Sequence, residues 1–98
     1  MIVITGSLVA REGSLDEALA LSLEHVRRSR QETGCIAHAV HQDVECPQRL
    51  VFVEQWSDPT AVAAHFALPA SRAFARALAA LSVDPPAIAM FEATPIRI

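Results

Sequence analysis

Apolar positions along the chain change their period several times, and each change marks an element. Residues 2–10 form a run of Ile, Val and Leu that stops at Glu12-Gly13, which predicts a strand. Ser14-Leu-Asp-Glu17 then has the S-x-x-E form of a capping box. Leu15, Ala18, Leu19, Ser22, Leu23 and Val26 follow at helical spacing, and Gly34 supplies the expected stop. The stretches CIAHAVHQD (35–43) and RLVFVEQW (49–56) predict two strands folded as a hairpin about Glu45-Cys-Pro-Gln48. Asp58 followed by Pro59 is an N-cap with proline at the first helical position, so a short helix is expected over 59–67. Leu68-Pro69 interrupts it. ASRAFARALAAL predicts a second helical piece over 70–81, with Phe74, Leu78 and Leu81 on one side. After Asp84-Pro-Pro86, the segment AIAMFEATPIRI (87–98) is expected to form a last strand.

The order β-α-β-β-α-β is the split βαβ of a ferredoxin-like α+β domain, a four-stranded antiparallel sheet with helices on one face. No linker, repeat or low-complexity stretch divides residues 1–98, so a single domain is expected. Helices on one face leave the other bare. The composition sharpens that point: 52% of residues are hydrophobic and the mean hydropathy is +0.31. A chain this short buries only roughly 65% of its surface alone. A homodimer built sheet to sheet, with C2 symmetry, is therefore expected.

Charge narrows the partners. Eight Lys and Arg stand against eleven Asp and Glu, for a net charge of −3. Arg27, Arg28 and Arg30 are grouped, but at a helix end they complement the macrodipole, so nucleic acid is not an expected partner. The apolar runs are interrupted long before the ~20 residues of a membrane span. MIVITGSLVARE lacks the basic n-region of a signal peptide. Cys35 and Cys46 have neither CxxC nor metal-ligand spacing, which points to a reduced, cytoplasmic setting.

The hairpin concentrates the unusual polar residues. A turn centred between Glu45 and Pro47 pairs residues whose numbers sum to 92. His38 then faces Glu54 and Ile36 faces Trp56, all four on one face by the period of two. His65, with Ala61, Val62 and Leu68 at helical spacing, is expected to face the sheet. His38, Glu54, Trp56 and His65 can thus converge in one cavity between sheet and helix. Structural roles stay open for each: Glu54 as a cross-strand partner of His38, Trp56 as a core plug, His65 as a satisfied core histidine. His41 has the opposite parity and His25 lies on the first helix, so both are expected to be structural or exposed. Four histidines without a tight carboxylate or thiolate cluster give no expected metal site. There is no GxGxxG, P-loop or nucleophile elbow.

Several of these residues carry a family resemblance. Glu32-Thr-Gly-Cys-Ile36, then Asp43 with Pro47, then Phe52-Val-Glu-Gln-Trp-Ser-Asp58, then Ala64-His65-Phe66 resembles the antibiotic biosynthesis monooxygenase family over nearly the whole chain. The resemblance implies a dimeric α+β barrel. It places the chain among quinol monooxygenases, enzymes oxidising anthrone-type polyketides, haem-degrading enzymes and a quorum-signal-processing branch. His65 matches the family's frequent pocket histidine, and Glu54 and Trp56 match its E-x-W. His38 stands where many relatives have tyrosine. The haem-degrading branch uses an Asn, Trp and His set. Gly6, His65 and Ala75 or Arg76 occupy those places here, which argues against haem.

Three functional expectations follow. The first is a monooxygenase that uses no cofactor and oxidises a small electron-rich aromatic, a quinol or anthrone, with O2. His65 would be its base, His38 and Glu54 its tuning pair, and Trp56, Phe66, Phe74 and Phe91 its apolar wall. The second is an isomerase or tautomerase using the same base beside a carbonyl. The third is a non-catalytic dimer that binds a small molecule.

Overall fold

The computed structural model describes residues 1–98, in the order β1 (Ile2–Val9), α1 (Leu15–Ser29), β2 (Cys35–Gln42), β3 (Arg49–Trp56), α2 (Pro59–Ala67), α3 (Pro69–Ala80) and β4 (Ala87–Glu92). The four strands form one antiparallel sheet in the order β2-β3-β1-β4, the ferredoxin-like arrangement. No helix is long and apolar enough to cross a membrane.

Strand alternation sorts the residues onto two faces. Ile4 and Leu8 of β1 and Leu50, Phe52, Glu54 and Trp56 of β3 are buried under the helices. The odd-numbered residues of β1, β3 and β4 point the other way. Among them Val53 and Phe91 are exposed, so an apolar face is left uncovered. On the helix side, Leu8, Ala10, Ala18, Val26, Leu50, Phe52 and Leu78 form the larger apolar core, with Phe74 and Leu81 packed against it. Ile4, Trp56 and Val62 form a smaller one beneath α2. Glu54 lies between Phe52 and Trp56 on the same face, so a polar seam separates the two cores.

Local signals behave as their chemistry requires, with four corrections. Asp58 caps α2 by accepting from the Ala61 N–H at 2.9 Å, with Pro59 behind it. Ser14 precedes α1 but makes no side-chain cap. Its backbone is already helical (φ −107°, ψ −1°), not extended, so the capping box does not form. The helix ends at Ser29, well before Gly34. In the hairpin, His38 does pair with Glu54, but Cys35 rather than Ile36 faces Trp56. The register shifts by one residue between Cys35 and Ala37, which leaves Ile36 in a bulge and exposed. Finally, β4 stops at Glu92 instead of running to residue 98. Ile2↔Glu92 is the last strand pair; Met1 and Ala93 still exchange two backbone hydrogen bonds of 2.8 and 2.9 Å, and Pro95 beyond them has no N–H to donate.

Gly34 has a different task from ending a helix. It sits at φ +85°, where a side chain is strained, and a Cβ there would lie 2.5 Å from Ala61 Cβ and 2.7 Å from Ser57 Oγ. Its carbonyl accepts from the Ser57 N–H at 2.8 Å. The glycine therefore lets the start of β2 close against the start of α2. Gly34→Ala is expected to cost about 2–3 kcal/mol, from left-handed strain plus overpacking, measured by urea unfolding. A variant as stable as the parent would show that the contact relaxes freely.

Candidate functional site

The polar seam is built by one residue from each of several elements. On α1, Ala18, Ser22, His25, Val26 and Ser29 form the buried stripe, so His25 points inward at the same helical spacing as Ala18 and Ser22. β2 contributes His38, β3 contributes Glu54 and Trp56, and α2 contributes His65; all are buried. The turn after α1 adds Glu32.

Two carboxylates organise the histidines. Glu32 Oε1 lies 2.8 Å from His65 Nδ1, a hydrogen bond in which Nδ1–H donates to the carboxylate, and in the neutral ring this leaves the lone pair on Nε2. Glu54 Oε1 accepts from Trp56 Nε1–H at 2.9 Å and lies 3.2 Å from His38 Nε2. That second approach is too poorly aligned to be a hydrogen bond, and neither nitrogen of the buried His38 ring has a partner. Burial pushes Glu54 up, but His38, the Trp56 N–H and His65 outweigh it, and the carboxyl is held below its usual range.

His25 is polarised differently. Its ring stacks flat on Phe74, with centroids 3.9 Å apart. Arg28 Nη2 donates to its Nδ1 at 3.0 Å, so the neutral ring carries its proton on Nε2. Burial first, then the charges of His38, His65 and Arg28, depress its pKa from 6.5 to about 3. At neutral pH, His25 is thus an uncharged hydrogen-bond donor. Beside it, His65 presents an acceptor.

A cleft of about 310 Å³ opens beside these two rings. Its lining includes His25, Glu54, His65, Phe66, Phe74 and Ile88 of β4. This is the small end of the ~300–1,000 Å³ range of ligand sites. Of the residues expected at the site, His65, Glu54, Phe66 and Phe74 line the cleft. His38 sits behind them and lines none of it. Trp56 is fully buried and supports His65 from below, ring centroids 4.6 Å apart, so it is no part of the wall. Phe91 pairs with Val3 on the uncovered face of the sheet, and strand parity keeps it out of this cleft. His41 is exposed as expected.

Two residues were not anticipated as parts of the site. His25 belonged to a readable stripe, since it stands three residues from Ser22 and seven from Ala18. Glu32 had no such period; its signal was its place at the head of Glu32-Thr-Gly-Cys-Ile36, part of the family resemblance. It approaches His65 from 33 positions away, across a turn with no regular period.

Known proteins share this frame. The family model described as antibiotic biosynthesis monooxygenase matches residues 1–77, a span that holds His25, Glu32, His38, Glu54, Trp56, His65 and Phe74. An uncharacterized protein of Synechocystis sp. is 31% identical over 68 residues, which cover 69% of this chain and 46% of that protein. The match therefore spans just under half of the relative's length. A crystal structure of a candidate antibiotic biosynthesis monooxygenase from Deinococcus radiodurans is 29% identical, with a TM-score of 0.94 over 100% of this chain and 98% of that one. A conserved protein from Methanosarcina mazei Go1, at 19% identity, shares the fold with a TM-score of 0.90 over 95% of this chain and 92% of that one.

Proposed function

From the premise that the chain belongs to the antibiotic biosynthesis monooxygenase family, we propose that it oxidises a small electron-rich aromatic, a quinol or anthrone, with O2 and without a cofactor. One observation carries the reading: the Glu32–His65 pair and the neutral donor His25 meet at a small, mostly apolar cleft. His65 Nε2 takes the hydroxyl proton of a quinol, or a proton of the CH2 that lies across the central ring from an anthrone's carbonyl. Glu32 stabilises the imidazolium that forms. His25 Nε2–H donates to the substrate oxygen on which negative charge develops. The anion then passes electrons to O2. One oxygen atom joins the carbon, and the other leaves as water with the two hydrogens the substrate gives up. A quinol thereby yields a hydroxyquinone, and an anthrone CH2 yields a carbonyl. Phe66 and Phe74 keep water from the intermediate.

Chelator-treated protein is expected to consume oxygen with hydroquinones or an anthrone, one O2 per quinone formed. Turnover of a carbonyl substrate without oxygen uptake would instead favour the isomerase reading. Binding with no turnover would favour the non-catalytic dimer.

We also propose that two chains pair through the uncovered sheet face. Val53 and Phe91 make that face costly to leave in water. Sedimentation is expected to show a dimer that Val53→Lys dissociates; a parent that sediments as a monomer rules the pairing out.

A further inference from the structure

We propose that His25, His38 and His65 form a site for one divalent transition-metal ion of the zinc class, and that the ion competes with Arg28 for it. The three ring centroids stand 5.3, 5.2 and 5.7 Å apart, a nearly equilateral triangle. Zinc–nitrogen bonds of ~2.0–2.1 Å, with about 1.1 Å more to each ring centre, place the rings of a tetrahedral three-histidine site roughly 5 Å apart. One ligating nitrogen from each residue already lies within 4.8 Å of the others. Closing them onto one ion takes ring movements on the order of an ångström, not rearrangement of the elements that carry them.

A second observation points to the same place. The His38 side chain is fully buried, yet neither of its nitrogens is hydrogen-bonded. Buried polar groups are rarely left so, and an ion supplies the missing partner. Carboxylates are also in position behind two of the rings. Glu32 holds His65 Nδ1, and Glu54 stands against His38 Nε2. The first is the outer hydrogen bond that orients a metal-bound imidazole and raises its basicity; Glu54, not aligned for one with His38 as the ring stands, is 3.2 Å away and forms it when the ring turns to meet the ion through Nδ1. An all-nitrogen donor set favours zinc, nickel, cobalt or copper over magnesium or calcium, and three ligands leave one coordination position open.

Arg28 is what the ion must displace. It donates to His25 Nδ1, which forces the proton onto Nε2 and hides that lone pair. Coordination through Nε2 moves the proton to Nδ1, so the guanidinium has to swing away. It has somewhere to go, since it also reaches the Ala70 carbonyl at 3.4 Å and Glu24 at 3.8 Å. The two states exclude each other. An ion on His65 Nε2 occupies the lone pair a base needs.

This inference does not rest on the oxygenase reading, because binding is measured without substrate. The intact chain, stripped with chelator, is titrated with Co2+ for its visible spectrum and with Zn2+ against a chromophoric chelator. One ion per chain is expected. His25→Gln and His38→Gln should each weaken binding by more than the ~10–100-fold typical of outer partners. Arg28→Ala should tighten it roughly tenfold by removing the competitor, a gain that misfolding cannot imitate. The exposed His41→Ala should change nothing. Affinity that survives both glutamine variants, vanishes in His41→Ala or does not rise in Arg28→Ala overturns the proposal.

Discussion

Acid is expected to destabilise this fold steeply between pH 6.5 and 3, and His25 is the main cause. The unfolded chain protonates this histidine near 6.5, whereas the folded chain resists until about 3. Between those values the unfolded state binds the extra proton, so each unit of acidification favours unfolding by about 1.4 kcal/mol. Over the whole window that is a loss of roughly 3–5 kcal/mol, a large share of the ~5–15 kcal/mol that holds a small domain together. The groups facing the ring explain why it resists. Burial acts first; His38 from β2, His65 from α2 and Arg28 from its own helix add positive charge, and only Glu54 of β3 opposes them. From α3 it meets the uncharged face of Phe74.

Glu54 acts in the same direction at lower pH. Its folded pKa lies below 4.5, so the stability it contributes is present above 4.5 and is lost as pH falls through the folded value. The interval from 6.5 to 4.5 therefore separates His25 from Glu54. Urea midpoints of chelator-treated parent and His25→Phe, measured across that interval, provide the test. Phenylalanine keeps the stack on Phe74 and has no proton to bind, so its slope should be shallower by nearly one proton. Equal slopes would show that His25 is not the group responsible.

The same residue shows where the sequence was readable and where it was not. Elements announced themselves through local chemistry: the Asp58-Pro59 start of α2, the period of two in β3, the 38–54 pairing across the hairpin. Errors arose where a local pattern competed with a distant one. The capping box at Ser14 was present in letters, but the turn from Arg11 had already set a helical backbone there. Ile36 should have faced Trp56, but closure of Gly34 against Ser57 and Ala61 brings Cys35 opposite Trp56 and leaves Ile36 in a bulge. His25 is expected to be structural or exposed, and the fold buries it; the leucines of α1 conceal this by suggesting a stripe that includes Leu23. Leu23 is exposed in the fold, and the serines and histidine are buried. A stripe that buries polar residues makes sense only with the other two histidines in view. Those arrive from β2 and α2, beyond the reach of helical periodicity.

His65→Ala is expected to lower the rate of oxygen consumption by about 10²–10⁴, the usual worth of a positioned general base, or roughly 3–5 kcal/mol of barrier. Loss of rate alone does not separate a base from a prop. The ring also packs on Trp56 and satisfies Glu32 Oε1, while Glu32 Oε2 already lacks a partner, so its removal strands a half-buried carboxylate. Two further variants make the distinction. Added imidazole should restore part of the rate to His65→Ala, because the vacated space opens on the cleft and Glu32 remains to orient the guest. Glu32→Gln keeps an oxygen that can accept from Nδ1–H but removes the charge that stabilises the imidazolium. It should fall by about 10–100-fold, chiefly in kcat rather than KM. A structural histidine predicts the opposite on both counts: no rescue by imidazole, and a Glu32→Gln variant that turns over like the parent. In that event the base lies elsewhere in the cleft, and His65 serves to hold α2 against the sheet.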